Sequence, residues 1–137
     1  MFTISAKGVY GLTAVSELGV NYNRGSIQIR DIAKAHGIPQ HYLEQLLVIL
    51  KKAGLVESFR GSRGGYALAR NPGRIKISDV LTCLEGELSI IPEGKKNGVL
   101  KFFWNRLERE IAEIIELTLE DLLLERQKYE KQLIYNI

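Results

Sequence analysis

A chain of 137 residues with 45% hydrophobic side chains fills one cored domain with or without an appendage, which excludes general disorder; without an eighteen-residue apolar run or a secretory leader pattern, it is expected in the cytoplasm with no membrane partner. Its single cysteine, Cys83, excludes an internal disulfide and any metal or iron–sulfur site built by cysteines alone. The net charge of +3 hides an asymmetry: residues 1–76 hold 11 Lys/Arg against 4 Asp/Glu, a net of +7, whereas residues 77–137 hold 8 against 12, a net of −4. A basic half joined to an acidic half points to a polyanion that meets only the first, because Lys and Arg release counterions when they bind phosphates.

In chain order, Ser5 opens a helical pattern in which Val9, Leu12, Val15 and Leu18 recur every three residues beside Ala14, and Asn21 and Gly25 close it. Gly8, Gly11 and Gly19 lower its propensity, so the helix needs tertiary support or permits a close backbone approach. A short apolar alternation at Ile27 and Ile29 precedes a compact helix from about Arg30 to Ala35, with Ile32 and Ala33 inward. Gly37 suits a left-handed helix end, and Pro39 suits the first position of the next helix. That next helix carries Leu43, Leu46, Leu47 and Leu50 on one face and stops at Gly54. Two short helices joined by a glycine-containing turn form a helix–turn–helix.

Two strands follow, Leu55 to Phe59 and Gly65 to Ala69, around the turn Arg60-Gly61-Ser62-Arg63-Gly64. A helix–turn–helix followed at once by a basic, glycine-rich hairpin has the layout of a winged helix. The tip glycines allow a close approach to a phosphate backbone or a minor groove, where arginine is favoured. Pro72 and Gly73 close the wing, and Ile77 to Leu84 forms a short helix with Ser78 as its cap and Val80, Leu81 and Leu84 buried.

Residues 86–98 read as a loop, and a long amphipathic helix begins at Val99. Leu100, Phe103, Leu107, Ile111, Ile114 and Thr118 are spaced by three and four, and Phe102, Trp104 and Ile115 widen the stripe. This is more apolar surface than one face of a small domain needs, so the stripe is expected to pair with the same helix of a second subunit. Folding back on its own domain is the other reading. Thr118 to Asp121 forms a capping box for a last short helix through Leu122 and Leu123. The expected organisation is a DNA-binding domain over 1–85, a loop over 86–98, and a dimerisation helix, short final helix and tail over 99–137. The fold class is mainly α with a small β-hairpin wing.

These residues resemble the Rrf-two family of bacterial winged-helix regulators. The matching stretches are Ile4 to Gly8 with Tyr10 and Leu12, Asp31-Ile32-Ala33, Tyr42-Leu43-Glu44-Gln45-Leu46, Ala53-Gly54-Leu55-Val56, Arg60-Gly61, Gly64-Gly65-Tyr66 and Thr118 to Leu122. The resemblance implies a homodimer on a palindromic operator in double-stranded DNA. Tyr42, Glu44 and Gln45 fall where the family reads base edges, and Arg60 falls where its wing reaches the minor groove. Glutamate accepting from cytosine and glutamine addressing adenine agree with that placement. His41, Lys51 and Lys52 are candidate phosphate contacts, and Arg63 is a second basic residue of the wing tip. Tyr42 as a core aromatic, and Lys51 and Lys52 as a solvated helix end, stay open as alternatives. His36 and His41 flank the motif as turn and DNA-facing residues without a metal set.

Cluster-binding members of the family carry three cysteines in the loop before the long helix, and residues 86–98 here carry none; the expectation is no iron–sulfur cluster and no other bound cofactor. The cluster-free pattern resembles the family's cysteine-metabolism repressors, which act with cysteine synthase. Tyr135-Asn136-Ile137 ends in the branched residue and carboxylate that such an enzyme's amino-acid pocket accepts, so the tail is a candidate docking segment; a frayed end is the bland alternative. Cys83 is either a small buried apolar residue or a redox-sensing thiol near the dimer interface. A rival of another class is a protein-interaction module acting through the C-terminal helix. No nucleophile–base pair, phosphate-cradling loop or ligand cluster points to an enzyme. The expected function is therefore transcriptional repression.

Overall fold

Helix α1 (Ala6–Val20) begins at Ser5, whose hydroxyl accepts the Lys7 N–H at 3.3 Å. Its inward face is not the expected stripe through Val9, which is 54% exposed. Ala14, Val15 and Leu18 are buried as expected, joined by Gly8, Gly11 and Gly19. The reason is contact with backbone: a Cβ on Gly11 would lie 2.1 Å from Leu84 Cδ1, and one on Gly19 would lie 2.8 Å from Leu123 Cδ1. The glycines thus make room for leucines of two helices that close on α1. They are α4 (Ile77–Glu85) and α6 (Leu119–Tyr135). The computed structural model describes residues 3–62 and 64–135.

Between α1 and α4 lie α2 (Ile29–His36), α3 (Gln40–Lys52) and a two-stranded antiparallel sheet of β1 (Val56–Phe59) and β2 (Gly65–Leu68). Gly37 ends α2 in the left-handed region at φ 64°, and the Ile38 N–H returns to the Ala33 carbonyl at 3.0 Å. Pro39 stands one place earlier than expected. Its ψ of 124° keeps it outside the helix as the N-cap, so Gln40 is the first helical residue. Helix α3 buries Leu43, Leu46, Leu47 and Leu50 against Ile32, Ala33, Ile38, Val15 and Leu18 in one core. Burial of each leucine contributes roughly 1.5–3 kcal/mol relative to leaving it in water.

The C-terminal half departs further from expectation. Ser78 does not cap α4; Lys76 is the N-cap, and its N–H donates to the Asp79 carboxylate at 2.9 Å. The amphipathic helix α5 spans Lys101–Ile115, 15 residues, and is no longer than α1. It stops because the chain turns back to pair with the segment before α4. Ile77 N–H donates to Leu117 O at 2.9 Å, Leu119 N–H to Ile75 O at 2.7 Å, and the Lys76 ammonium meets Glu116 at 2.7 Å. Thr118 therefore leaves the α5 stripe and joins the next helix, where it and Asp121 form the expected capping box at 3.0 and 3.1 Å. The final helix is not short. It has 17 residues and includes Tyr135, because Leu119, Leu122 and Leu123 pack on the core and Arg126 reaches α1, bonding Glu17 at 2.6 Å and Ser16 at 2.8 Å. No helix among the described residues is long and apolar enough to cross a membrane.

One carboxylate closes α4 onto α1. Glu85 accepts the Ser5 hydroxyl, the Ser5 N–H at 3.0 Å and the Gly8 N–H at 2.9 Å, so the end of one helix satisfies the orphan donors at the start of another. Chiefly the Ser5 hydroxyl, then the two backbone donors, hold its pKa below the ordinary 4.5. A depressed carboxylate contributes stability that is present above its unfolded pKa and is lost as pH falls through its folded one. Glu85→Gln should therefore lower the melting temperature at pH 7, and the difference from wild type should shrink as the pH drops below 4.5; thermal unfolding across a pH series measures this.

Candidate nucleic-acid interface

The outward face of α3 is built by the same periodicity that buries its leucines. Gln40, His41, Glu44 and Gln45 are exposed on its first two turns. The three last side chains are neighbours: Glu44 Oε2 lies 4.0 Å from His41 Nδ1, and Gln45 Nε2 lies 3.5 Å from His41 Nε2. Tyr42 is turned away from them. It is half-buried and packs edge-on against Tyr10, ring centroids 5.9 Å apart at 82°, which is the arrangement aromatic pairs favour. Lys51 and Lys52 are exposed at the far end of α3, and the Lys51 ammonium donates to Ser58 Oγ at 2.5 Å, joining helix to wing. His36, also exposed, is engaged by α1. Its Nε2 lies 3.2 Å from Glu17 Oε1, a carboxylate it shares with Arg126, because α1 crosses beside the end of α2.

The wing is fixed at its root. Ile27 and Tyr66 exchange two backbone hydrogen bonds, 2.9 and 2.8 Å, so the segment before α2 adds a one-residue rung on the other edge of β2. The Ile27 and Ile29 alternation in sequence is the trace of this pairing. Gly65, at φ 142°, is pressed on that rung: a Cβ there would lie 2.3 Å from the Ile27 carbonyl oxygen. At the tip, Gly61 has φ 97° and its carbonyl accepts the Gly64 N–H at 2.9 Å. Arg60 is exposed beside this turn, and Arg63 lies outside the described residues.

Wing and α3 enclose a cleft lined by Gln28, Arg30, Gln40, Glu44, Phe59 and Arg60. Gln28, Arg30, Gln40 and Phe59 were not singled out from sequence; the signal was available only for Arg30, as one more basic residue of the +7 half. Cys83 is far from thiolate chemistry. Its thiol is partly buried, donates to the Ile49 carbonyl at 3.8 Å, and is pushed above its ordinary pKa by desolvation. Asn136 and Ile137 lie outside the described residues, and Tyr135 is the exposed last residue of α6.

Comparison with known proteins turns this geometry into a family assignment. The family model described as an iron-dependent transcriptional regulator, the Rrf-two model, matches residues 4–125. The chain belongs to the Rrf-two family of transcriptional regulators. Among Rrf-two relatives it is similar to the transcriptional regulator CymR of Bacillus subtilis, 39% identical over 121 residues, 87% of this chain and 88% of that protein. The solved structure of that CymR, titled the global cysteine regulator, superposes with a TM-score of 0.82 at 38% identity, covering 90% of this chain and 97% of the other. The structure of IscR from T. potens matches with a TM-score of 0.76 at 38% identity, covering 93% and 90%.

The iron of that family description does not fit the residues found here. Loop 86–98 offers Glu87, Glu93 and Ser89 but neither thiol nor imidazole, whereas clusters need thiolate or imidazole ligands. Among the described residues, no three His, Cys, Asp or Glu side chains come together as a metal set.

The wing root gives this surface its shape, so it is the place to break it. Gly65→Ala should destabilise the fold by about 1–3 kcal/mol, measured by urea unfolding, while far-UV circular dichroism keeps its helical signal.

Proposed function

We propose that this protein is a homodimeric, sequence-specific transcriptional repressor that acts without an iron–sulfur cluster. The observation that carries this reading is α5. It has no buried residue, although it presents Leu100, Phe103, Leu107, Ile111 and Ile114 at steps of three and four; Ile114 is 64% exposed. Leaving such a stripe in water forgoes its burial energy, which a second copy of the helix would supply. The functional division is then 1–85 for DNA, 86–98 as connector, and 99–137 for assembly, with α6 returning to brace the DNA-binding half.

Two copies would present two α3 helices and two wings to successive grooves of a palindromic operator. Glu44 and Gln45 read base edges, His41, Lys51 and Lys52 position the phosphates, and Arg60, with Arg63, serves the minor groove. Tyr42 supports this face through Tyr10 and contributes its rim. Bound there, the dimer excludes RNA polymerase. Phe103→Glu together with Ile111→Glu should yield monomers by sedimentation equilibrium, with duplex affinity lower by a hundredfold or more, on the order of 3 kcal/mol; a dimer that persists would overturn the assembly.

The likeness to a protein titled the global cysteine regulator supports a role in cysteine metabolism with cysteine synthase as co-regulator, the segment Tyr135-Asn136-Ile137 entering that enzyme's amino-acid pocket. Tyr135 is 88% exposed at the end of α6, within reach of a partner. Deleting Ile137 should abolish binding to cysteine synthase by calorimetry while leaving duplex affinity unchanged. Redox sensing through Cys83 is the weaker reading, since a thiol whose pKa is raised by burial holds little of the reactive thiolate.

A further inference from the structure

The wing carries an aromatic residue that the reading above does not use. Phe59 ends β1 immediately before Arg60, and it is 48% exposed. Its cross-strand partner is Gly65, which offers no side chain to cover the ring and cannot acquire one without meeting the Ile27 carbonyl. The next pair on the same face of the hairpin is Glu57 with Ala67, and a methyl group is too small to shield a phenyl ring. The backbone rung that fixes the wing therefore also keeps this ring in water.

The ring stands where two clefts meet. One lies between wing and α3 and includes Gln40 and Glu44. The other lies between the outer face of the wing and the α1–α2 connection and includes Arg24 and Arg30. Phe59 and Arg60 border both. The connection that carries Arg24 is built rather than loose: Asn21 Nδ2 donates to the Gly25 carbonyl at 3.1 Å, the Arg24 N–H donates to the Asn21 carbonyl at 2.9 Å, and Asn23 turns through φ 68°. Arg24, Arg30 and Arg60 thus line the clefts that Phe59 borders. Of the acids beside them, Asp31 is drawn toward Arg30 at 3.7 Å, which leaves Glu57 on the hairpin as the other counter-charge. An apolar ring set among arginines matches the composition of a duplex wall, where deoxyribose is the apolar surface and phosphates flank it.

We propose that the outer face of the wing is a second DNA-contacting surface, in which Phe59 packs on the deoxyriboses of the minor-groove wall while Arg24 meets the phosphates of the same strand. This rests on the DNA-binding reading above. It enlarges the footprint beyond α3 and the arginine tip. Apolar side chains of this kind accompany arginine in other minor-groove contacts, and a groove about 6 Å wide brings its sugar walls within reach of a residue next to the inserted arginine.

The test uses the full chain and duplexes that the wild-type protein selects from random DNA, with affinity measured across a salt series. Phe59→Ala should weaken binding about tenfold at every salt concentration, with the slope of log affinity against log salt unchanged, because no phosphate contact is lost. Phe59→Leu should recover most of that loss. Arg24→Gln should instead reduce the slope by about 1. Wild-type affinity in Phe59→Ala overturns the proposal, as does a changed dimer mass in that variant, which would place the ring in a protein contact, or an Arg24→Gln slope equal to wild type. A wild-type protein that selects no duplex would overturn the DNA-binding reading itself, a result distinct from each of these. The thermal midpoint of Phe59→Ala, checked alongside, should stay close to wild type, because the ring is half in solvent already.

Discussion

The close approach of Leu84 to Gly11, and of Leu123 to Gly19, sets where α4 and α6 lie against α1, and the rest of the molecule is arranged around that contact. A Cβ at either place would meet the tip of a leucine side chain, which would have to shift to make room. Glycine inside a helix costs about 1 kcal/mol each relative to alanine, and the cost is offset by the packing that the bare backbone admits. Glu85 then completes the junction by accepting three hydrogen bonds from Ser5 and Gly8. With α4 and α6 both held to α1, the chain between them has no core left to join, and α5 is carried outside it.

Polar contacts extend this frame to the DNA-facing half. Glu17 on α1 receives His36 from the end of α2 and Arg126 from α6, and Arg126 also reaches the buried Ser16. The turn between α2 and α3 is therefore connected through one carboxylate to the helix that follows α5. Any movement of α6 along α1 must carry these bonds or break them. On the opposite side, Lys51 holds the end of α3 to β1, and the Ile27–Tyr66 rung holds the hairpin to the segment before α2. Helix α3 and the segment before α2 are thus each fixed to the wing by a short contact.

The charge distribution follows the same division. Lys51, Lys52, Arg30 and Arg60 of the basic first half lie on α3, α2 and the wing, whereas most of the acids of the second half are carried by α5 and α6. In a family described by its iron, the loop before α5 of this chain holds carboxylates and a hydroxyl and no thiol or imidazole. What the related structures and this chain share is the backbone frame.

Much of the architecture was legible in the residues themselves. Leucines at helical spacing marked α3, Gly37 marked the turn, paired apolar runs around Arg60 to Gly64 marked the wing, and Thr118 with Asp121 marked a helix start. These are local signals, set by dihedral preference and by which face repeats, and they need no knowledge of what lies nearby. Apart from the local shifts at Pro39 and at the cap of α4, the misreadings were matters of contact between distant segments. Val9 was placed inward because periodicity alone cannot tell a leucine stripe from a glycine face that only matters when Leu84 and Leu123 arrive. Ser78 lost the cap to Lys76 and Asp79, and α5 ended early because residues 117–119 pair with 75–77. Tyr42 takes the core alternative its sequence left open by packing on Tyr10, and His36 pairs with Glu17; these partners are 32 and 19 residues away in sequence. The exposure of Phe59 depends on a glycine pressed against Ile27 from another segment. Sequence determines what each stretch prefers to be; only the folded chain decides which faces are left over for a partner, since burial belongs to pairs of segments and not to either one alone.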